Sequence, residues 1–164
     1  MNRLFSVLLV ALLLTGCGLR SETQPVENKE VKKAPEAQSQ TPAGTDFIQA
    51  GIELIKKGDV INGIHAFDEA IKQNPTNLQP YILLGQTYMH ANQFDQAVDS
   101  FLAALRIAPD HGEIYYMLAI ANGLRGRKDL AVNNAEKALL LFQKDKDGEN
   151  FKKALVLLQG LSQE

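Results

Sequence analysis

The chain has 164 residues, 45% hydrophobic and 22% charged, which suits one modest globular domain rather than two. A formal net charge of −2 supplies no strong field for nucleic acid or an anionic membrane surface. The one cysteine, Cys17, excludes an internal disulfide.

In chain order, Arg3 gives a positive start and Leu4 to Leu14 an 11-residue apolar run broken only by Ser6. A bilayer span takes about 20 residues, so the run reads as the h-region of a secretory signal. It ends in Leu14-Thr15-Gly16-Cys17, which resembles the lipobox of bacterial lipoprotein precursors. The resemblance implies diacylglycerol on the Cys17 thiol, cleavage after Gly16 and acylation of the new amine, with 1–16 as signal peptide. Two or three acyl chains anchor durably where one binds only marginally. Gly18, where an aspartate would retain an enterobacterial lipoprotein at the inner membrane, implies the periplasmic side of the outer membrane in a diderm cell envelope.

From Gly18 to Gly44 no aromatic occurs, Pro25, Pro35 and Pro42 interrupt, and Glu, Lys, Gln, Ser and Thr fill most of the rest. Too little apolar surface is present to offset the entropy of ordering, so 17–44 is expected to be a lipidated cysteine on a disordered tether. As a coil, a segment of this length spans roughly 30 Å.

A period of 34 follows. It relates Phe47, Tyr81 and Tyr115; Gly51, Gly85 and Ala119; Gly63, Ala97 and Ala131; Ala70, Ala104 and Ala138; and Pro75 with Pro109. Each unit carries two amphipathic stretches. Tyr81, Leu84, Gly85 and Tyr88 share one helical face, and after Asn92-Gln93 so do Phe94, Ala97, Phe101 and Ala104. Proline at 109 ends the second stretch, since it cannot continue the hydrogen-bond ladder.

This pattern resembles the tetratricopeptide repeat, carried most fully by Tyr81, Leu84, Gly85, Tyr88, Ala97, Phe101, Ala104 and Pro109. The resemblance implies an all-α superhelix: three hairpins over 45–145 (units 44–77, 78–111 and 112–145), then a capping helix in 146–164. Gly63 replaces the usual alanine in the first unit, at about 0.5 to 1 kcal/mol of helix stability. The third unit departs at Asn122, Ala135 and Gln143, so its second helix is expected to run on and to pack less tightly. Phe151, Ala154, Leu155 and Leu158 mark the expected buried face of the cap.

Signatures of chemistry are sparse. No Gly-rich phosphate loop, HExxH or nucleophile elbow occurs, and the chain is read as a non-enzyme without cofactor beyond the Cys17 lipid. His65, Asp68 and Glu69 share a helix face and are read as solvated surface rather than metal ligands. Asp145-Lys146-Asp147-Gly148 resembles part of a calcium loop, but Ala154 stands where the bidentate glutamate belongs. The segment is therefore read as a turn with Asp147 near a helix start. Asp110 is read as the cap of the helix that follows it.

Resemblance to the repeat family also implies a concave groove lined by the first helix of each unit: Ile48, Ile52 and Lys56; Ile82, Gln86, Met89 and His90; Tyr116, Ile120 and Leu124. Ile55, Gln79 and Glu113 fall on the same strip. An apolar strip rimmed by polar groups suits a protein or peptide client. Packing of these side chains on one another, or a homodimer contact, are the alternatives. The positions with which some relatives clamp a terminal carboxylate hold Ile48, Ile52, Leu83, Glu113 and Met117, so an anionic-tail clamp is not expected. The expected function is that of a membrane-anchored adaptor for envelope proteins, similar in plan to repeat lipoproteins of pilus, outer-membrane or peptidoglycan-enzyme assembly. The alternative is a self-associating structural lipoprotein.

Overall fold

The computed structural model describes residues 44–163. The expected signal peptide, Cys17 and the tether up to residue 43 lie outside them. Within them the order is α1 (Thr45–Lys56), α2 (Val60–Gln73), α3 (Leu78–His90), α4 (Phe94–Ile107), α5 (Gly112–Leu124), α6 (Lys128–Lys144) and α7 (Gly148–Gln163). Among the described residues there is no strand. Helices α1–α2, α3–α4 and α5–α6 are hairpins stacked in sequence, as the repeat predicts, and α7 packs against both α6 and α5.

Two kinds of turn alternate, and the sequence explains each. Inside the hairpins the chain reverses through one left-handed residue, Gly58 (φ 84°), Asn92 (φ 57°) or Gly126 (φ 71°), spaced at the repeat. Glycine and asparagine tolerate this geometry best. The N–H of the residue just before each second helix then returns to a late carbonyl of the first: Asp59 to Leu54 (2.9 Å), Gln93 to Tyr88 (2.8 Å) and Arg127 to Asn122 (2.8 Å). Between hairpins the chain leaves the helix through an extended residue before proline, Asn74 (φ −142°) before Pro75 and Ala108 (φ −129°) before Pro109.

The third unit lacks that proline. Gln143 continues the ladder, α6 reaches 17 residues against 14 in α2 and α4, and the link to α7 reverts to the left-handed turn, with Lys146 at φ 57° and Asp147 N–H on Phe142 O at 2.9 Å. The second helix does run on. It does not pack loosely: Ala131, Ala135 and Ala138 are all fully buried, although alanines at 119 and 135 stand where the earlier units pair glycine with phenylalanine.

The core lies between the two helices of each hairpin and between hairpins. Phe67 and Phe101 are its largest sealed side chains, with Ile114, Leu118 and Pro80. Three buried polar side chains bond within their own helix, one turn back: Thr87 Oγ1 to Leu83 O (2.7 Å), Ser100 Oγ to Gln96 O (2.8 Å) and Asn122 Nδ2 to Leu118 O (2.9 Å). None is orphaned, so none marks a site. Tyr88 is half-buried, and its hydroxyl is pushed above its ordinary pKa by burial first and by the charge of Asp68 second.

Helix starts divide similarly. Asp59 caps α2 by accepting from Asn62 N (3.3 Å), and Asn77 caps α3 by accepting from Gln79 N (3.0 Å). Asp110 does not cap α5. The cap position is His111, one residue later, so the carboxylate falls short of the first turn and lies instead 4.0 Å from Lys144 Nζ. Asp147 does start α7, accepting from Asn150 N (3.1 Å) and Asn150 Nδ2 (2.7 Å). The buried face of α7 is Ala154, fully enclosed, flanked by Phe151, Leu158 and Leu161. Leu155, expected on that face, sits at its flank and is 38% exposed.

Candidate functional site

Helices α3 and α5 contribute consecutive turns to one wall of the concave side. On α3, Gln86, Met89 and His90 follow at helical spacing; on α5, Glu113, Tyr116, Met117 and Ile120 do the same. Helix α7 lies across the end of this wall and adds Asn150 and Lys153, with Phe142 and Phe101 behind. The result is a cleft of about 320 Å³ with a mostly apolar lining. That is at the small end for ligand sites, enough for an anchoring side chain or two.

The floor is held in place by the core. Met89, Met117 and Ile82 pack against the buried cluster of Ala97, Phe101, Ile114 and Leu118, and Tyr116 packs against Ala138, Phe142 and Ala154. The rim is polar and tied within itself. Gln86 Nε2 lies 3.8 Å from Met117 Sδ, a weak donor contact across α3 and α5. Lys153 Nζ meets Glu149 Oε1 at 2.7 Å and Asn150 Oδ1 at 3.3 Å. The bond to Glu149, then its charge, raises the Lys153 ammonium above its ordinary pKa.

Of the residues the sequence assigns to the groove, Gln86, Met89, His90, Tyr116 and Ile120 come together in this cleft. Ile82 is half-buried against the core beside it. Ile52 is half-buried and Lys56 exposed on α1, outside the cleft lining, and Leu124 is 57% exposed at the end of α5. Ile48 is corrected: at 4% exposure it belongs to the core. Its helix packs mainly on α2 and also touches α3.

Phe101, Met117, Phe142, Asn150 and Lys153 line the cleft without being on the expected strip. Phe142 had a legible signal: without proline at 143 the helix continues through it. Asn150 and Lys153 depend on how α7 crosses α5, which an amphipathic pattern alone does not set.

Elsewhere, His65 is exposed, Glu69 is paired with Lys72 (2.6 Å), and among the described residues no three histidine, cysteine or carboxylate side chains are grouped to hold a metal. No described helix is long and apolar enough to cross a membrane.

Residues 54–121 match the family model described as tetratricopeptide repeat. A Saccharomyces cerevisiae protein, small glutamine-rich tetratricopeptide repeat-containing protein 2, is 28% identical over 130 residues. The alignment covers 79% of this chain and 36% of the yeast protein, so the chain matches about a third of that relative's length. Among solved structures, the TPR2B domain of yeast Sti1 in its complex with pHsp70 superposes with TM-score 0.68 at 20% identity, covering 73% of this chain and 96% of that one. PcrH in complex with the chaperone binding region of PopD gives 0.66 at 14% identity, covering 72% and 90%. The first TPR of Spaghetti (RPAP3), bound to an HSP90 peptide, gives 0.65 at 16%, covering 74% and 91%. These likenesses show the fold: a tetratricopeptide-type superhelix of three hairpins and a terminal helix.

Proposed function

We propose that this chain is a membrane-anchored, non-enzymatic adaptor that holds a segment of another polypeptide in the cleft between α3, α5 and α7. The observation that carries the reading is the cleft itself: apolar Met89, Tyr116, Met117 and Ile120 face an opening on the concave side, where polar side chains would be expected against water. Three proteins of this fold lend support: Sti1 in its pHsp70 complex, RPAP3 bound to an HSP90 peptide, and PcrH in complex with the chaperone binding region of PopD. The box ending in Cys17 supports acylation and placement in the cell envelope, with residues 17–44 as the tether between lipid and repeats.

The reading is tested by photo-crosslinking in intact cells from the exposed rim positions His90 and Glu113, with exposed Glu136 on α6 as control. The expected result is one shared partner band from the two rim positions and none from Glu136. An equal band from Glu136, or none from the rim, overturns it.

Self-association is the second reading, favoured by Leu140 (64% exposed) and Val156 (67% exposed), which lie outside the cleft lining. Sedimentation of the purified chain separates the two readings: a dimer dispersed by Val156→Lys supports the second, a monomer the first.

A further inference from the structure

A second hollow, of about 210 Å³, adjoins the cleft and shares Glu113, Phe142 and Asn150 with it as walls. Its remaining lining adds Asp110, His111, Gly112, Asp145 and Asp147, so four carboxylates and one histidine surround one mouth, and no lysine or arginine lines it. Two of the four are engaged. Asp147 is held by the Asn150 amides, and Asp110 has Lys144 at 4.0 Å. Among the described residues, Glu113 and Asp145 have no cation within pairing distance, and both are exposed. The nearby cations do not cancel them. Lys153 is paired with Glu149, and Lys146 lines only the adjoining hollow that shares Phe142 and Asp147 with this one.

We infer, resting on the adaptor reading above, that the segment received here is basic as well as apolar: a large apolar side chain fills the chamber over Met89 and Ile120, and a neighbouring lysine or arginine meets Glu113 and Asp145. Chain geometry favours this pairing. The two hollows are contiguous, so residues a few positions apart in an extended or helical segment reach both. An anionic tail entering the same way meets unneutralised carboxylates, and like-charge juxtaposition at an interface is strongly disfavoured. Opposite charges at an exposed rim add only a few-fold each and act mainly on encounter and register. The chamber therefore supplies the grip and the mouth supplies the choice.

The experiment uses the purified full chain and three fluorescent peptides sharing a central Phe-Leu pair, flanked by lysines, glutamines or glutamates. Anisotropy is read at low salt and near 0.5 M, where screening reaches about 4 Å. The lysine peptide is expected to bind about ten-fold tighter than the glutamate peptide at low salt, with the gap closing as salt rises. In Glu113→Lys/Asp145→Lys, both changes being on exposed side chains, the order is expected to reverse. A glutamate peptide that binds as well as the lysine peptide, with binding lost in Met89→Glu, sinks the basic preference and leaves the polypeptide cleft standing. If Met89→Glu loses helicity, Gln86→Trp blocks the cleft from its rim instead. No binding by any peptide, or binding indifferent to these cleft variants, overturns both readings.

Discussion

A β-carbon added to Gly85 would stand 2.3 Å from Cε1 of Phe101, closer than two carbons can sit. Gly51 and Phe67 repeat the relationship at 2.5 Å, while the third hairpin replaces both partners, with Ala119 and Ala135. The third hairpin thus closes the same position with a smaller pair rather than with the repeated residues. Gly85→Ala is expected to destabilise by about 1 to 3 kcal/mol, despite a helix propensity gain of about 1 kcal/mol. Phe101→Ala is expected to cost about 3 to 5 kcal/mol. The double variant, which rebuilds the alanine pair of the third hairpin, is expected to cost less than the sum of the two. Denaturant unfolding of the full chain measures all three; strict additivity would mean that the two residues do not share one space.

How far the sequence could be read follows from the same distinction. Small residues at fixed spacing and prolines at 75 and 109 report local sterics, so the hairpins and the run-on of α6 past Gln143 were legible from them. Tightness was not: alanine at 135 reads as a lost phenylalanine, whereas the structure buries it completely. Five of the ten expected groove residues line the cleft, because the inner face of α3 and α5 follows from helical phase. Ile48 and Leu124 depend on curvature at the two ends of the array, and Asn150 and Lys153 on the crossing of α7. These are tertiary quantities that no local pattern encodes.

Gly63 departs from the repeat for a reason found in its neighbour. A β-carbon there would meet Ile55 Cδ1 at 2.5 Å and Cγ1 at 2.8 Å, whereas the later units carry Met89 and Gly123 at the position of Ile55 and keep alanine opposite. Gly63→Ala is therefore expected to give no net gain in the native chain. In an Ile55→Ala background, where both Cγ1 and Cδ1 are gone, the same change is expected to stabilise by about 0.5 to 1 kcal/mol, the ordinary glycine-to-alanine difference in a helix. Thermal unfolding of the four chains tests it. A gain from Gly63→Ala alone would show that Ile55 yields without strain.

Helix α7 is tied to its turn by a titrating cap. The Asn150 backbone N–H, then its side-chain amide, hold the Asp147 carboxyl below its ordinary pKa. A depressed folded value means that the cap stabilises above the unfolded pKa, near 3.9, and that its contribution is lost as pH falls through the folded value. On acidification below about pH 4, the first-turn amides of α7 are expected to exchange faster, after correction for intrinsic rates, before those of α4. Asp147→Ala is expected to show that faster exchange already at pH 7. Exchange at the first turn of α7 that is unchanged in Asp147→Ala at pH 7 would rule out the cap in solution.

The membrane half of the proposal rests on Cys17 and is tested apart from the repeats. The Leu4 to Leu14 run, at 11 residues, is too short to span a bilayer, which takes about 20. Durable anchoring then needs more than one acyl chain, since each buried methylene contributes about 0.8 kcal/mol and a single chain exchanges readily. Metabolic labelling with palmitate is expected to mark the native chain and leave Cys17→Ser unlabelled. The mature mass is expected to match a chain beginning at Cys17 with its acyl groups. Fractionation alone would mislead, because an uncleaved Cys17→Ser precursor keeps its apolar run and can stay in the detergent phase. The label is the deciding observable: palmitate incorporated equally into Cys17→Ser, or a native chain that carries no label and keeps residues 1–16, would remove the anchor and leave the repeats to act without one.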